Sequence, residues 1–309
     1  MASVTATEDA EVTTGRSDVR RFLSRRDIIV LALMLGIPTL VHVALIWFPT
    51  LASVGLSFTR WQGIGGFSTI EPVGLQNYRD IVSIYPVFWP AVSHNVIWLV
   101  VFLVLATPIG IALAVLLDKE LAGTRFYQSA LYLPVVLSLA VVGFIVQLVF
   151  SPDQGLINNL FGLNVNWLGQ PGINLAAVLL MASWRHIGYI MILYLSGLKG
   201  VDPTLKEAAA IDGASEVQTF FRVIFPVLKP VNIVVLVVTV IESLRAFDIV
   251  YVINKGRNGL ELLSVLITDN IIGEASRIGF GSALAVILLV ISLGVIVPYL
   301  FTTFRKGQV

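Results

Sequence analysis

The sequence predicts an all-α polytopic membrane protein with six transmembrane helices and both termini on the cytoplasmic side. Three observations carry that expectation. Of 309 residues, 57% are hydrophobic and only 13% charged, where an ordinary soluble domain carries roughly 25% charged residues. Four stretches contain no Asp, Glu, Lys or Arg: between Asp27 and Arg60, Asp80 and Asp118, Arg125 and Asp153, and Arg277 and Arg305. Each exceeds the ~20 apolar residues that a helix needs to cross a ~30 Å hydrocarbon core. Third, the basic residues gather on alternate connecting segments, the asymmetry that orients membrane helices.

The first helix is expected near 28–48. Arg20, Arg21, Arg25 and Arg26 precede it, as basic residues also precede a cleavable signal peptide. This apolar run is longer than an h-region of about 7–15 residues, and no small-residue cleavage pattern follows, so it reads as a retained helix. Residues 1–27 form a polar tail whose Thr, Ser, Glu and Asp content is that of a disordered segment. The second, third and sixth helices, near 95–117, 129–150 and 281–304, fill the other three charge-free stretches. The fourth and fifth, near 174–196 and 226–247, are equally apolar but carry isolated charges. The membrane domain then spans 28–304, with a cytoplasmic loop at 197–226 and a short tail at 305–309.

With the N-terminus inside, segments 1–27, 118–128, 197–229 and 305–309 hold thirteen Lys and Arg. The outer segments 59–94, 151–173 and 248–280 hold five, which fixes the orientation by the positive-inside rule. Trp61, Tyr78, Tyr85, Trp89 and Trp167 fall on the outer segments, where aromatic belts anchor helices at the membrane surface.

Composition excludes several function classes. A net charge of +1 lacks the basic footprint of a nucleic-acid binder. Without cysteine there is no disulfide framework, thiolate metal site or cysteine nucleophile. His42, His94 and His186 are too scattered for a metal-ligand spacing, and no Asp/Glu pair shares a helix face suited to acid–base chemistry. Gly110 with Ala106, Ala112 and Ala114 marks close helix packing.

The segment after the fourth helix is the most informative. From Val201 it reads Asp202-Pro203-Thr204-Leu205-Lys206-Glu207-Ala208-Ala209-Ala210-Ile211-Asp212-Gly213-Ala214-Ser215-Glu216-Val217-Gln218. Asp202 is a good N-cap, and Pro203 suits a first helical position that needs no hydrogen-bonded N–H. Leu205 to Ile211 favours helix, and Asp212-Gly213 stops it where glycine accepts a left-handed conformation. Ser215 and Gln218 have capping-box spacing and open a second helix toward Pro226. The result is a compact knob on which Ala208, Ala209 and Ala214 let another surface come close.

Glu207-Ala208-Ala209, then Gly213, then Val223-Ile224-Phe225-Pro226 resembles the EAA loop of permease subunits in binding-protein-dependent ABC importers. Val223 and Phe225 stand where Ile and Leu are more usual. Val73-Gly74-Leu75-Gln76-Asn77-Tyr78, Leu133-Pro134 and Gly155-Leu156-Ile157-Asn158 are similar to segments of carbohydrate-importer permeases of the maltose, glycerol-phosphate and trehalose type. One departure is Asn254-Lys255-Gly256-Arg257-Asn258-Gly259, where that group usually carries a Gly-Gly-Pro-rich stretch contacting the binding protein.

The resemblance implies a division of labour. Two permease subunits, usually different chains, form the pathway; two ATPase subunits sit beneath; and an extracytoplasmic solute-binding protein delivers a sugar or related polyhydroxylated solute, with a di- or oligosaccharide favoured. This chain would be one permease in a bacterial or archaeal cytoplasmic membrane. Its coupling helix would dock on an ATPase through Leu205, Glu207, Ala208, Ala209, Asp212, Gly213 and Ala214. No GxxxxGK[ST] phosphate loop is present, so ATP and Mg belong to the partner and this chain is no enzyme.

Charges within the spans are the remaining candidates. Arg185, Glu242 and Arg245 face protein or water, because lipid exposure costs about 2.5–3.5 kcal/mol or more. Arg185 with Trp184 and His186, and the row Glu242, Arg245 and Asp248, either line a hydrophilic solute path or form structural ion pairs; Glu242 and Arg245 are three apart and share a helix face. The alternative function is a secondary transporter, for which matching halves with paired broken helices are expected. No such halves are found. A membrane enzyme would need a nucleophile with a base, or a metal cluster.

Overall fold

The computed structural model describes residues 24–64, 66–119, 123–273 and 276–305. The expected polar tail therefore lies, for residues 1–23, outside the described residues, as do residues 306–309. The described residues divide into two compact units, one ending at Ala52 and the other beginning at Ser53.

In the first unit the described chain opens with a complete capping box. Ser24 Oγ accepts from the Asp27 N–H at 3.2 Å, and Asp27 accepts from the Ser24 N–H at 2.9 Å. The helix begun there, α1 (Arg25–Leu56), passes through Pro38 and a π turn at Val43–Trp47. It outruns the expected 28–48, continuing through Pro49 and Gly55 to Leu56.

The second unit is almost wholly helical. Two short antiparallel strands, β1 (Thr59–Arg60) and β2 (Glu71–Pro72), pair in the loop after α1. Then follow α2 (Gln76–Ser83), α3 (Phe88–Leu117), α4 (Thr124–Val136), α5 (Leu139–Val149), α6 (Leu156–Phe161), α7 (Ile173–Lys199), α8 (Pro203–Ile211), α9 (Glu216–Val227), α10 (Lys229–Leu244), α11 (Asp248–Asn254), α12 (Leu263–Ile271) and α13 (Ile278–Arg305). Among the described residues, α1, α3, α7 and α13 are each long and apolar enough to cross a membrane. Two bent pairs, α4 with α5 and α9 with the helix beyond Leu228, raise the number to as many as six if each pair is one span.

The third span, expected as one helix near 129–150, is broken in two: α4 and α5 meet at 100°. Leu137 and Ser138 are both extended, and the Ser138 hydroxyl accepts from the Val141 N–H at 3.3 Å, starting a new helix just after the Pro134 turn. The fifth span is likewise bent, by 82° at Leu228 between Pro226 and Pro230.

The long buried helix α7 is the centre of this unit. Near its N-terminal half, Val178 and Ala182 join Trp98, Phe102, Val142, Val146 and Val250 in one core. Near its C-terminal half, Ile190, Met191 and Tyr194 pack with Leu117, Ile224 and Val235 in another. A third core joins α2, α3, α12 and α13 through Ile81, Phe88, Leu263 and Leu284. Small residues let the helices approach. A Cβ at Gly110 would stand 2.9 Å from the Ile187 oxygen, and one at Gly188 would collide with the Leu131 carbonyl oxygen. Ala106 and Ala114, one helical turn to either side of Gly110, are fully buried, as interfaces between membrane helices favour. Ala112 is exposed and takes no part in this contact.

Candidate functional site: a braced helical knob and an interhelical polar cluster

The knob forms as its local chemistry dictates. Asp202 Oδ1 accepts from the Thr204 N–H at 2.9 Å and Pro203 occupies the first turn. That bond, with help from the Thr204 hydroxyl, holds the Asp202 carboxyl below its ordinary value. The cap contributes above the unfolded-chain pKa of Asp202, ~3.9, and is lost as pH falls through the lower folded value. Gly213 ends α8 with φ +75° and open space around its Cα, so backbone conformation alone selects glycine there. Ser215 and Gln218 make both capping-box bonds, at 3.3 and 2.9 Å, and start α9.

Ion pairs tie the knob to the end of α3. Lys206 Nζ donates to Asp118 Oδ2 at 2.7 Å, and Lys199 Nζ stands 3.6 Å from the other oxygen. Lys119 bridges to Glu216 at 2.6 Å. Glu207, Ala208, Asp212 and Gly213 are exposed, Leu205 and Ala214 half-buried. Ile211, 86% exposed, is a large apolar residue at the tip. Ala209 turns inward, 7% exposed, and packs within the chain, so the outward small-residue surface is made by Ala208, Ala210 and Gly213 with Ala214 at its rim. A cleft of about 950 Å³ runs from Lys206 and Ala214 between α3, α9 and α10, with Phe220, Phe221 and Phe225 in its wall.

The second candidate cluster sits where α3, α7 and α10 cross. Arg185 Nη1 donates to Glu242 Oε2 at 3.3 Å. The next residue, His186, is buried and lies against Phe102, with ring centroids 4.2 Å apart and 18° between planes. Its Nε2 is 3.2 Å from the Thr239 hydroxyl and 3.4 Å from that of Thr107, and the two hydroxyls are 3.2 Å apart. His186 therefore joins three helices. Trp184 is 37% exposed, and Arg245 and Asp248 are exposed. The row Glu242, Arg245, Asp248 does not stay on one helix face: α10 ends at Leu244 and α11 begins at Asp248.

Several polar residues to which the sequence assigns no role of their own do structural work. The buried Asn95 amide donates to the Ser243 and Leu244 carbonyls at the open end of α10, each 3.4 Å, and accepts from the Leu263 N–H at the start of α12 at 3.0 Å. Gln147 donates to the Val252 and Ile253 carbonyls of α11. Asn158 donates to the Pro152 and Val165 carbonyls and accepts from the Trp167 indole at 2.7 Å. The available signal was an amide side chain within an apolar run, which must find partners when no water is present. Among the described residues, no group of three or more His, Asp or Glu side chains could hold a metal ion.

Comparison with known proteins places this architecture among relatives. Residues 106–307 match the family described as binding-protein-dependent transport system inner membrane component. The xylose/arabinose import permease protein XacH of Haloferax volcanii is 32% identical, with 98% of this chain and 96% of that protein covered. The arabinooligosaccharides transport system permease protein AraP of Halalkalibacterium halodurans is 31% identical over 86% of this chain and 85% of that protein. A chain of the bacterial alginate ABC transporter, solved in complex with an alginate pentasaccharide-bound periplasmic protein, superposes with a TM-score of 0.77 at 20% identity, covering 92% of this chain and 96% of that chain.

Proposed function

Since the chain belongs to the family of binding-protein-dependent transport system inner membrane components, we propose that it forms half of a translocation pathway for a sugar and that its knob couples this pathway to ATP hydrolysis. It is a multi-pass permease subunit of an ABC importer and not an enzyme; separate ATPase subunits hydrolyse ATP. The secondary-transporter alternative loses its ground with that membership.

The finer assignments are our reading. Six spans cross the cytoplasmic membrane of a bacterium or archaeon, with each bent pair serving as one span and both termini inside. Residues 28–304 form the permease domain, and 197–226 is its EAA-type loop. A second permease, usually a different chain, completes the pathway. Two ATPases carry ATP and Mg, and an extracytoplasmic binding protein brings the solute. Relatives named for xylose and arabinose, arabinooligosaccharides and trehalose/maltose favour a mono- to oligosaccharide.

One observation carries the coupling assignment: a capped, rigid helix with an exposed tip is braced by ion pairs to the end of a long span. A closing ATPase that meets Leu205, Glu207, Ala208, Asp212, Gly213 and Ile211 would push on the Asp118 brace and tilt α3 and the bent α9–α10 pair together, a rigid-body transmission. The Arg185–Glu242 pair joins the fourth and fifth spans and is the polar element such a tilt would separate. Trp184, Arg245 and Asp248 stand as lining candidates for the solute path. The test is purification of the native assembly followed by replacement of Glu207 and Gly213. ATPase subunits should co-purify, and the double variant should lose uptake while the complex forms less readily. Absence of any ATPase, or normal uptake by the variant, would refute the assignment.

A further inference from the structure

A pocket of about 320 Å³ opens where the loop after α1, helix α2 and the start of α13 meet, with Trp61, Asp80, Tyr85, Arg277 and Phe280 in its wall. It lies at the opposite end of α13 from Tyr299, which lines the large cleft beside the knob. From Ile278 to Tyr299 the helix rises about 32 Å at ~1.5 Å per residue, close to a ~30 Å hydrocarbon core.

The pocket wall is firmly built. The buried Asn77 amide donates to the Ser57 and Thr59 carbonyls at 2.8 and 2.9 Å. The Gly279 N–H donates to the Trp61 carbonyl at 3.3 Å, and a Cβ at Gly279 would collide with the Thr59 oxygen. Arg277 is held in place as well. Its Nη2 donates to Asn270 Oδ1 at 2.7 Å, and the Asn270 amide donates to the Tyr85 hydroxyl at 3.2 Å. The guanidinium stands 4.6 Å from the Phe280 ring centroid and 5.8 Å from that of Tyr85.

Arg277 is thus the donor left for a visitor. Of its fork of five N–H groups, the one on the Asn270 amide is the one with an acceptor among the described residues. The Trp61 indole N–H is itself buried, so what Trp61 offers the pocket is its ring. Aromatic walls beside a fixed donor and a carboxylate suit a sugar ring: C–H faces lie on the rings, and hydroxyls accept from Arg277 and donate to Asp80. The volume is at the lower end of the ~300–1,000 Å³ typical of ligand pockets, which suits a single ring.

We propose that this pocket is a saccharide subsite at the outer mouth, holding one ring of the incoming sugar before it enters the membrane path. The proposal rests on the sugar-import reading. In proteoliposomes containing the complete transporter, uptake and ATP hydrolysis are measured together, using the binding protein loaded with arabinotriose or maltotriose. Arg277→Gln and Asp80→Ala, which weaken the donor and remove the acceptor, should each lower sugar moved per ATP about fivefold, the worth of roughly one hydrogen bond. ATP hydrolysis stimulated by the binding protein should stay at the wild-type level in both, because the sugar is lost after delivery. An unchanged ratio in both variants would overturn the subsite in favour of an aromatic belt. A parallel fall of ATP hydrolysis and uptake would overturn it in favour of a docking surface. If the wild-type assembly answers neither loaded binding protein, the import reading fails first and the subsite falls with it.

Discussion

Asp118→Asn should loosen the knob by an amount that can be worked from its surroundings. The Asp118 side chain is 13% exposed, and the side chains of Lys206 and Lys199 are 42% and 49% exposed. An ion pair fully in water contributes ~0.2–1 kcal/mol, and a hydrogen bond to a charged group about 1.5–3 kcal/mol. With one partner largely buried and the other half in water, the 2.7 Å bond belongs near 1.5 kcal/mol, and the longer Lys199 contact near the lower surface value. Asparagine keeps the shape but not the charge, so the tether weakens by about 1–1.5 kcal/mol, roughly five- to tenfold in the docked population. Because the chain has no cysteine, a single spin label at Val217, 67% exposed, reports knob motion without background. The label should become more mobile and uptake per ATP should fall. Lys206→Met should do the same, and the double variant should be no worse than either. About 1 M salt, with a Debye length of ~3 Å, should reproduce part of the effect in the native protein. Additive effects of the two substitutions, or unchanged mobility and uptake, would refute the brace.

Other outcomes follow from the same geometry. Arg185→Gln or Glu242→Gln alone strands a partly buried charge and should lower uptake more than the double variant does, because removing one partner of such a pair is the damaging step; paired uptake assays check this. Asn95→Ala removes three buried hydrogen bonds that close α10 and open α12. It should cost about 1–3 kcal/mol, read as a lower Tm of the detergent-solubilised complex. Gly188→Ala should sharply reduce the yield of folded protein, since α4 presents backbone to it and cannot give way; expression followed by size-exclusion chromatography tests it.

What was legible in the sequence is what is local. Asp202, Gly213 and the Ser215–Gln218 box act on their own backbone within a few residues, so their spacing announces them. The apolar runs announce crossing segments because lipid admits little else. Direction is not local: hydropathy reads 129–150 as one helix, and only Pro134 followed by Ser138 hints at a 100° break. Pairings across the chain were the least accessible. His186 meets Thr239 53 residues away and Thr107 79 residues away, and neither hydroxyl stands out in its own segment. Ala209 faces inward because the brace at Lys206 sets the roll of α8, a constraint that comes from Asp118 on another helix.

The most direct measurement is a cross-link from the tip of α8. Ile211→Cys, placed on the 86% exposed tip residue of a chain without native cysteine, is introduced into the co-expressed transporter and treated with a short thiol-to-amine reagent. The knob assignment predicts an adduct with an ATPase subunit whose yield changes when ATP is added, and no labelling by an impermeant thiol reagent from outside intact cells. An assembled complex that gives no ATPase adduct, or a thiol that reacts from the outside, would contradict it.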